Sequence, residues 1–275
     1  VAPDQYDLFD VREATSSARP VERSPKPLAR AVVEMTDDAL CASIAAVELS
    51  DAVGVLGEVA RRRLPGAVDQ LAALIRRFKG FETRGTIVEQ TEALAALVAV
   101  GGGGAAAVVK AAIERSEFNR ANLGAALAAA AKLRVRLEPR VVEAALVHDD
   151  AEIRLAACAF ARARPNQIAL LMELLSDQDQ RVSSAAACAL GGLGRVEARP
   201  KLMTLLQTSP SVAVIQAAAN VADDSIVVQL GKLARGKDRF LDAIAEALED
   251  CDVALAATVR HDLAHGRAHQ TEPAH

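Results

Sequence analysis

Three histidines near the end of the chain, His261, His265 and His269, recur at i, i+4 and i+8 in RHDLAHGRAHQTEPAH. On one helix that spacing lines up three imidazoles, as a transition-metal site requires. Gly266 interrupts the run, however, and the surrounding residues are polar, so the reading is a solvated C-terminal segment and no metal. His148-Asp149-Asp150 is the other apparent metal dyad. It falls at a break between helical patterns, where an aspartate caps the next helix. Gly101 to Gly104 could cradle a phosphate, but no Lys-Ser/Thr follows it and no strand precedes it, so it reads as an interhelix turn. The four cysteines, Cys41, Cys158, Cys188 and Cys251, are far apart in Ala/Leu-rich pattern and read as small buried hydrophobes of a reducing compartment. No serine lies in a strand-to-helix elbow. The expectation is a protein that is not an enzyme and uses no cofactor.

Basic residues offer a second kind of chemistry. Arg61-Arg62-Arg63 and Arg76-Arg77 with Lys79 end two helical patterns, where the macrodipole favours positive charge. Between Lys110 and Arg140 seven basic residues face only three glutamates. Arg134, Arg136 and Arg140 are the candidate contacts to a nucleic-acid backbone, each able to neutralise a phosphate. Against that stand a net charge of −4 and 3% aromatic residues, too few to stack on exposed bases. DNA is therefore the lesser partner expectation.

The third constellation is Gln5-Tyr6-Asp7-Leu8-Phe9. It places two of the chain's seven aromatics in the first ten residues. Gln5, Asp7, Leu8 and Phe9 resemble the bacterial sliding-clamp-binding pentapeptide, Gln-x-(Ser or Asp)-Leu-Phe, at every constrained position. The resemblance implies that Leu8 and Phe9 fill an apolar pocket of the clamp while Gln5 anchors by hydrogen bonds. The alternative is that Leu8 and Phe9 pack back on the first helices.

The elements that must position these residues are helical. Of the 275 residues 51% are apolar and about a fifth are alanine, while alternating strand signals are missing. Residues 1–27 form a tail rich in charge, Ser and Pro. Thr36-Asp37-Asp38 and Ser50-Asp51 read as N-caps, and Pro65 suits the first turn of another helix. From there the chain repeats. ALVAVGGGGAAAVVKAAI (from Ala96) aligns without gaps on ALGGLGRVEARPKLMTLL (from Ala189), an offset of 93 residues, or three units of roughly 31. An apolar ladder follows that period through Leu97, Leu127, Phe160, Leu190, Val221 and Leu248. In RVSSAAACALGGL, Val182, Ala185, Ala186, Ala189, Leu190 and Leu193 form one buried stripe. No helix pair could bury its faces alone, so the units must stack into an all-α solenoid of antiparallel helix pairs.

These units resemble the HEAT-repeat family in its short form, known from phycobilin lyase subunits. That form has an acidic turn, a Val-Arg pair, an Ala-rich helix and a closing Leu-Gly. HDDAEIRLAACAF supplies the turn and Ile153-Arg154, and DQDQRVSSAAACALGGLG supplies Val182 and Leu190-Gly191, with Ser183 where the family places arginine. HEAT-repeat hydroxylases carry iron on His-Glu pairs, and no His-Glu dipeptide occurs here. The expected organisation is a tail over 1–27, a helical cap over 28–84, repeats over 85–258 and a polar tail over 259–275. The resemblance implies a scaffold that presents a curved surface to a protein partner. The adaptor reading adds docking on the sliding clamp, and the alternative is an accessory subunit of a phycobilin-lyase-like enzyme. No apolar run is long enough for a membrane and no signal peptide opens the chain, so a cytoplasmic protein is expected.

Overall fold

The computed structural model describes residues 27–81, 85–236 and 238–270. Gln5, Asp7, Leu8 and Phe9 lie outside the described residues. Among the described residues there are sixteen α-helices, five 3-10 turns and no strand. Helices α1 (Pro27–Glu34), α2 (Asp37–Ser43) and α3 (Leu49–Arg62) open the stack. Six pairs follow: α4 (Val68–Arg77) with α5 (Val88–Val100), α6 (Gly102–Glu114) with α7 (Arg120–Lys132), α8 (Pro139–Leu146) with α9 (Ala151–Ala157), α10 (Pro165–Leu174) with α11 (Gln180–Gly192), α12 (Arg199–Thr208) with α13 (Val212–Ala219), and α14 (Asp224–Gly236) with α15 (Leu241–Ala247). Helix α16 (Ala254–Gln270) closes it.

The pairs stack in two layers. Each odd-numbered helix from α3 to α15 packs on the next odd one, and these form one unbroken layer. The even-numbered helices form the other, but α6 scarcely meets α8, and α10 scarcely meets α12. Small side chains on α7, α11 and α13 let those odd helices approach their neighbours closely. The product is an α-solenoid with one core running from Val32 to Leu263.

Local chemistry repeats with the units. Asn119, Asp150, Asp179 and Ser211 cap α7, α9, α11 and α13, each side chain accepting a backbone N–H of the first turn. Pro139 and Pro165 open α8 and α10, where a missing N–H costs nothing. After α3, α5, α7 and α11 the chain turns through residues of positive φ. Gly101 has φ +70° and Gly194 φ +69°, so the two glycines aligned by the 93-residue offset both take the positive φ that favours glycine. Arg63 (+53°) and Arg134 (+54°) take the same part after α3 and α7. Val135 N–H then donates to Ala130 O, and Arg195 N–H to Leu190 O, both at 2.9 Å, which closes a Schellman-type cap.

The apolar ladder is buried at all six positions. The stripe on α11 is shifted from the expected one: Val182, Ala186 and Leu190 are buried, but Ala185, Ala189 and Leu193 are only half-buried. Ser183, Ala187 and Gly191 are buried too, because α11 is flanked by α9, α10, α12 and α13. Three other local readings differ from the structure. Helix α3 begins at Leu49 after Glu48, so Ser50 and Asp51 sit inside its first turn and cap nothing. Gly102 to Gly104 belong to α6, and the turn is confined to Gly101 and Gly102. Gly266 does not end a helix: α16 passes through it to Gln270, carries buried Val259 and Leu263, and so crosses the expected boundary between 258 and 259.

Candidate functional site

The connections from odd to even helices lie along one edge of the stack, and several of them carry arginines. Arg134 follows α7 in its left-handed conformation and is exposed. Arg136, two residues on, is also exposed and lines a cleft of about 400 Å³ between α8 and α10. Arg140, in the first turn of α8, is 80% exposed and pairs with Glu138 at 2.8 Å. It lines a different cleft, of about 470 Å³, between α6 and α8, floored by Leu123 and Leu127 of α7 and edged by Glu114 and His148. Arg136 and Arg140 thus line different clefts, and Arg134 lines neither. Arg136 is joined instead by Arg162 and Arg164, which line the same cleft from the connection into α10. The signal for them was present: Arg162-Ala163-Arg164 repeats the Arg134-Val135-Arg136 pattern 28 residues later, close to one repeat period.

The opposite edge, where even helices lead into odd ones, is knitted by polar groups. Arg154 of α9 has a side chain 17% exposed, and Asp177 has one only 6% exposed. The guanidinium holds both carboxylate oxygens, at 2.8 and 3.0 Å, and donates to the carbonyls of His148 (2.7 Å) and Asp149 (2.9 Å). This fork joins two successive repeats and keeps the Asp177 carboxyl below its ordinary range. One repeat later, Ser183 stands in the arginine's place and donates to Leu175 O at 3.1 Å. Arg181 reaches back to Glu152 at 2.7 Å and to Asp179 at 2.8 Å, so a surface pair substitutes for the missing fork. Asp150 caps α9, and its own N–H donates to His148 Nδ1 at 3.0 Å, which assigns this His-Asp-Asp sequence to helix capping.

At the start of the stack Arg61 and Arg62 are more than dipole partners. Both bind the Glu58 carboxylate at 2.6–2.7 Å, although that side chain is only 6% exposed. Arg62 also donates to the carbonyls of Val33 and Met35 and to Asp37, and so ties the α1–α2 segment to α3. Hydrogen bonds from Arg61, opposed by burial and aided by Arg62, bring the Glu58 pKa down to about 2.

The remaining reactive types sit in structural places. Burial pushes the Cys158 thiol up to about 12 and raises Cys188 as well, which leaves both as thiols rather than nucleophiles. No group of three His, Cys, Asp or Glu among the described residues is arranged to hold a metal. No described helix is long and apolar enough to cross a membrane.

These features define the class: an α-solenoid whose polar chemistry serves to join one repeat to the next. Comparison with known families agrees. Residues 137–223, which span α8 to α13 or three helix pairs, match the family model of HEAT repeats. No curated protein and no solved structure matched the chain. HEAT repeats are in general scaffolds for protein interaction, and that is the level at which the match speaks.

Proposed function

We propose that this chain is a non-enzymatic adaptor of the bacterial cytoplasm. On this reading its repeats hold a protein partner, while Gln5, Asp7, Leu8 and Phe9 dock on the sliding clamp in replication or repair. The observation that carries the scaffold part is the unbroken layer of odd-numbered, largely alanine-rich helices. Between α7 and α9 this layer has a groove of about 420 Å³, with Ala121, Gly124, Ala125, Ala128 and Ala159 along it and Arg120 and Glu152 at its end. Side chains this short leave room for an incoming helix or extended segment, and the charged end can fix its direction.

The clamp part rests on the pentapeptide, and its test is direct. A peptide spanning Val1 to Arg12 should bind a bacterial sliding clamp with micromolar affinity, roughly −8 kcal/mol, because a short ligand with one apolar anchor pair loses ordering entropy. Replacing Leu8 and Phe9 by Ala should abolish binding, and Gln5→Ala should weaken it by about 1 kcal/mol. The Leu8/Phe9 double change should leave the melting temperature of the whole chain unmoved. If it lowers stability by several kcal/mol while the peptide ignores the clamp, those two side chains belong to the core and the clamp reading fails.

A further inference from the structure

Arginines occur at four crossings of the odd-to-even edge, and several of them, though not Arg63 or Arg134, are paired with carboxylates there. Arg62 is held by Glu58 and Asp37, Arg140 by Glu138, Arg195 by Glu197 at 2.6 Å, and Arg199 lies 3.7 Å from Asp223. Arg136, Arg162 and Arg164 differ. Among the described residues none of the three has a carboxylate within ion-pair distance, yet all three line the one cleft between α8 and α10. Three like charges around one opening repel, and an anion placed between them removes that cost.

The cleft is apolar beneath its charged rim: Phe160 and Val142 are buried below it, and Leu137 and Pro139 form one side. Its rim is also fixed in place. Arg162 N–H donates to Oε1 of Gln167, a side chain in α10 that is itself buried, at 2.8 Å, and Arg164 N–H donates to Arg162 O at 2.7 Å. The N-terminus of the ten-residue α10 opens directly after Arg164 and adds positive potential to the same spot.

We propose that this cleft binds an acidic peptide segment of the solenoid's partner, with a bulky apolar side chain seated on Phe160 and flanking Asp or Glu carboxylates held by Arg136, Arg162 and Arg164. Guanidinium groups suit that role because each can take a carboxylate with two parallel hydrogen bonds. Duplex DNA fits less well. Its backbone brings phosphates but no apolar group to cover the Phe160 floor, and of the arginines that would extend a phosphate track Arg140, Arg195 and Arg199 already face carboxylates, which leaves only Arg134. The proposal rests on the scaffold reading and supplies the chemistry of the partner.

The test uses the full chain and a fluorescein-labelled heptapeptide, three Asp, one Phe and three Asp, followed by anisotropy at low salt. Binding is expected, and the triple change R136E, R162E and R164E should weaken it by at least about tenfold, since each reversal turns a close attraction into repulsion. Those side chains are exposed, so the variant should melt like the parent. Replacing the peptide's Phe by Ala should cost several-fold more affinity than the loss of one exposed charge. No binding, or binding indifferent to the triple change, overturns the proposal. A full chain that ignores the peptide until Leu8 and Phe9 are replaced by Ala would show that the chain's own N-terminal segment fills the cleft, which also overturns it. So would a labelled DNA duplex that binds in an Arg136/Arg162/Arg164-dependent way while the peptide does not. Clamp docking by residues 5–9 is read out separately, so either result can fail without the other.

Discussion

Gly191 and Gly192 are neighbours in α11, and replacing each by alanine should move stability in opposite directions. A Cβ on Gly191 would lie 2.6 Å from the Ala217 carbonyl oxygen and 2.9 Å from both Ala217 Cβ and Leu202 Cδ1. The leucine methyl can swing away, but the carbonyl belongs to the backbone of α13 and moves only with its helix. Restoring ordinary contact means parting α11 and α13 by several tenths of an ångström along an interface that also buries Ala187, Leu190 and Ala218. Overpacking of this kind costs roughly 1–3 kcal/mol, and the better helix propensity of alanine returns at most about 1 kcal/mol. Gly191→Ala should therefore destabilise by about 1–2 kcal/mol, a fall in Tm of roughly 3–6 °C for a chain of this size. Gly192 meets nothing within 4 Å and is exposed. Gly192→Ala should stabilise by up to about 0.5–1 kcal/mol through propensity and a less flexible unfolded chain. Urea denaturation and thermal melts of the two variants side by side are sufficient. If Gly191→Ala raises the midpoint as Gly192→Ala does, α11 and α13 do not approach as described, and the repeat register built on Leu190-Gly191 is wrong.

Three further outcomes follow from the polar contacts and the backbone. Arg154→Ala strands the nearly buried Asp177 carboxylate and two carbonyls, so urea melts should show a loss of about 3 kcal/mol; the exposed Arg181→Ala should cost about 0.5 kcal/mol or less, and equal costs would contradict the fork. Glu58 has its pKa lowered from 4.5 to about 2, so its contribution is full above pH 4.5 and is lost as pH falls through 2. Glu58→Gln should accordingly flatten the fall of Tm between pH 4.5 and 2, and an unchanged acid slope would count against the Arg61–Glu58–Arg62 cluster. Arg134→Gly should stabilise by about 1 kcal/mol, because glycine holds a φ of +54° without the Cβ clash. If Arg134 also touches a DNA phosphate, that variant should retain duplex DNA less well and with a salt slope lower by about 1.

What could be read from the chain and what could not divide along a physical line. The fold was legible because each repeat buries the same positions, so the evidence is counted several times over. Leu97 and Leu190 are both fully buried, and Gly101 and Gly194 both take positive φ. A single helix start is decided once, by one side chain, and the competing Glu48 and Ser50-Asp51 differ by only two residues. That is why the N-terminus of α3 was misplaced. The Arg62 contacts to Val33 and Met35 reach back 27 to 29 residues to backbone carbonyls, which leave no mark on residue type.

The arginine cleft shows the same limit at a site. Arg134 and Arg136 read from the sequence as candidate phosphate contacts, and Arg162-Ala163-Arg164 carries no signal when taken alone. They become a site only because stacking α8 on α10 sets Arg136 beside Arg162 and Arg164, over Phe160. Pairing decides the rest. Arg140 lies only four residues from Arg136, but Glu138 claims it, whereas no carboxylate claims Arg136. Charge density along the chain pointed to the Lys110–Arg140 stretch as a whole. The structure divides that stretch between two clefts on either side of α8 and carries the unpaired charge into the next repeat. In a solenoid the unit that recognises a partner is the junction between repeats, and its residues are one repeat period apart in sequence, not adjacent in it.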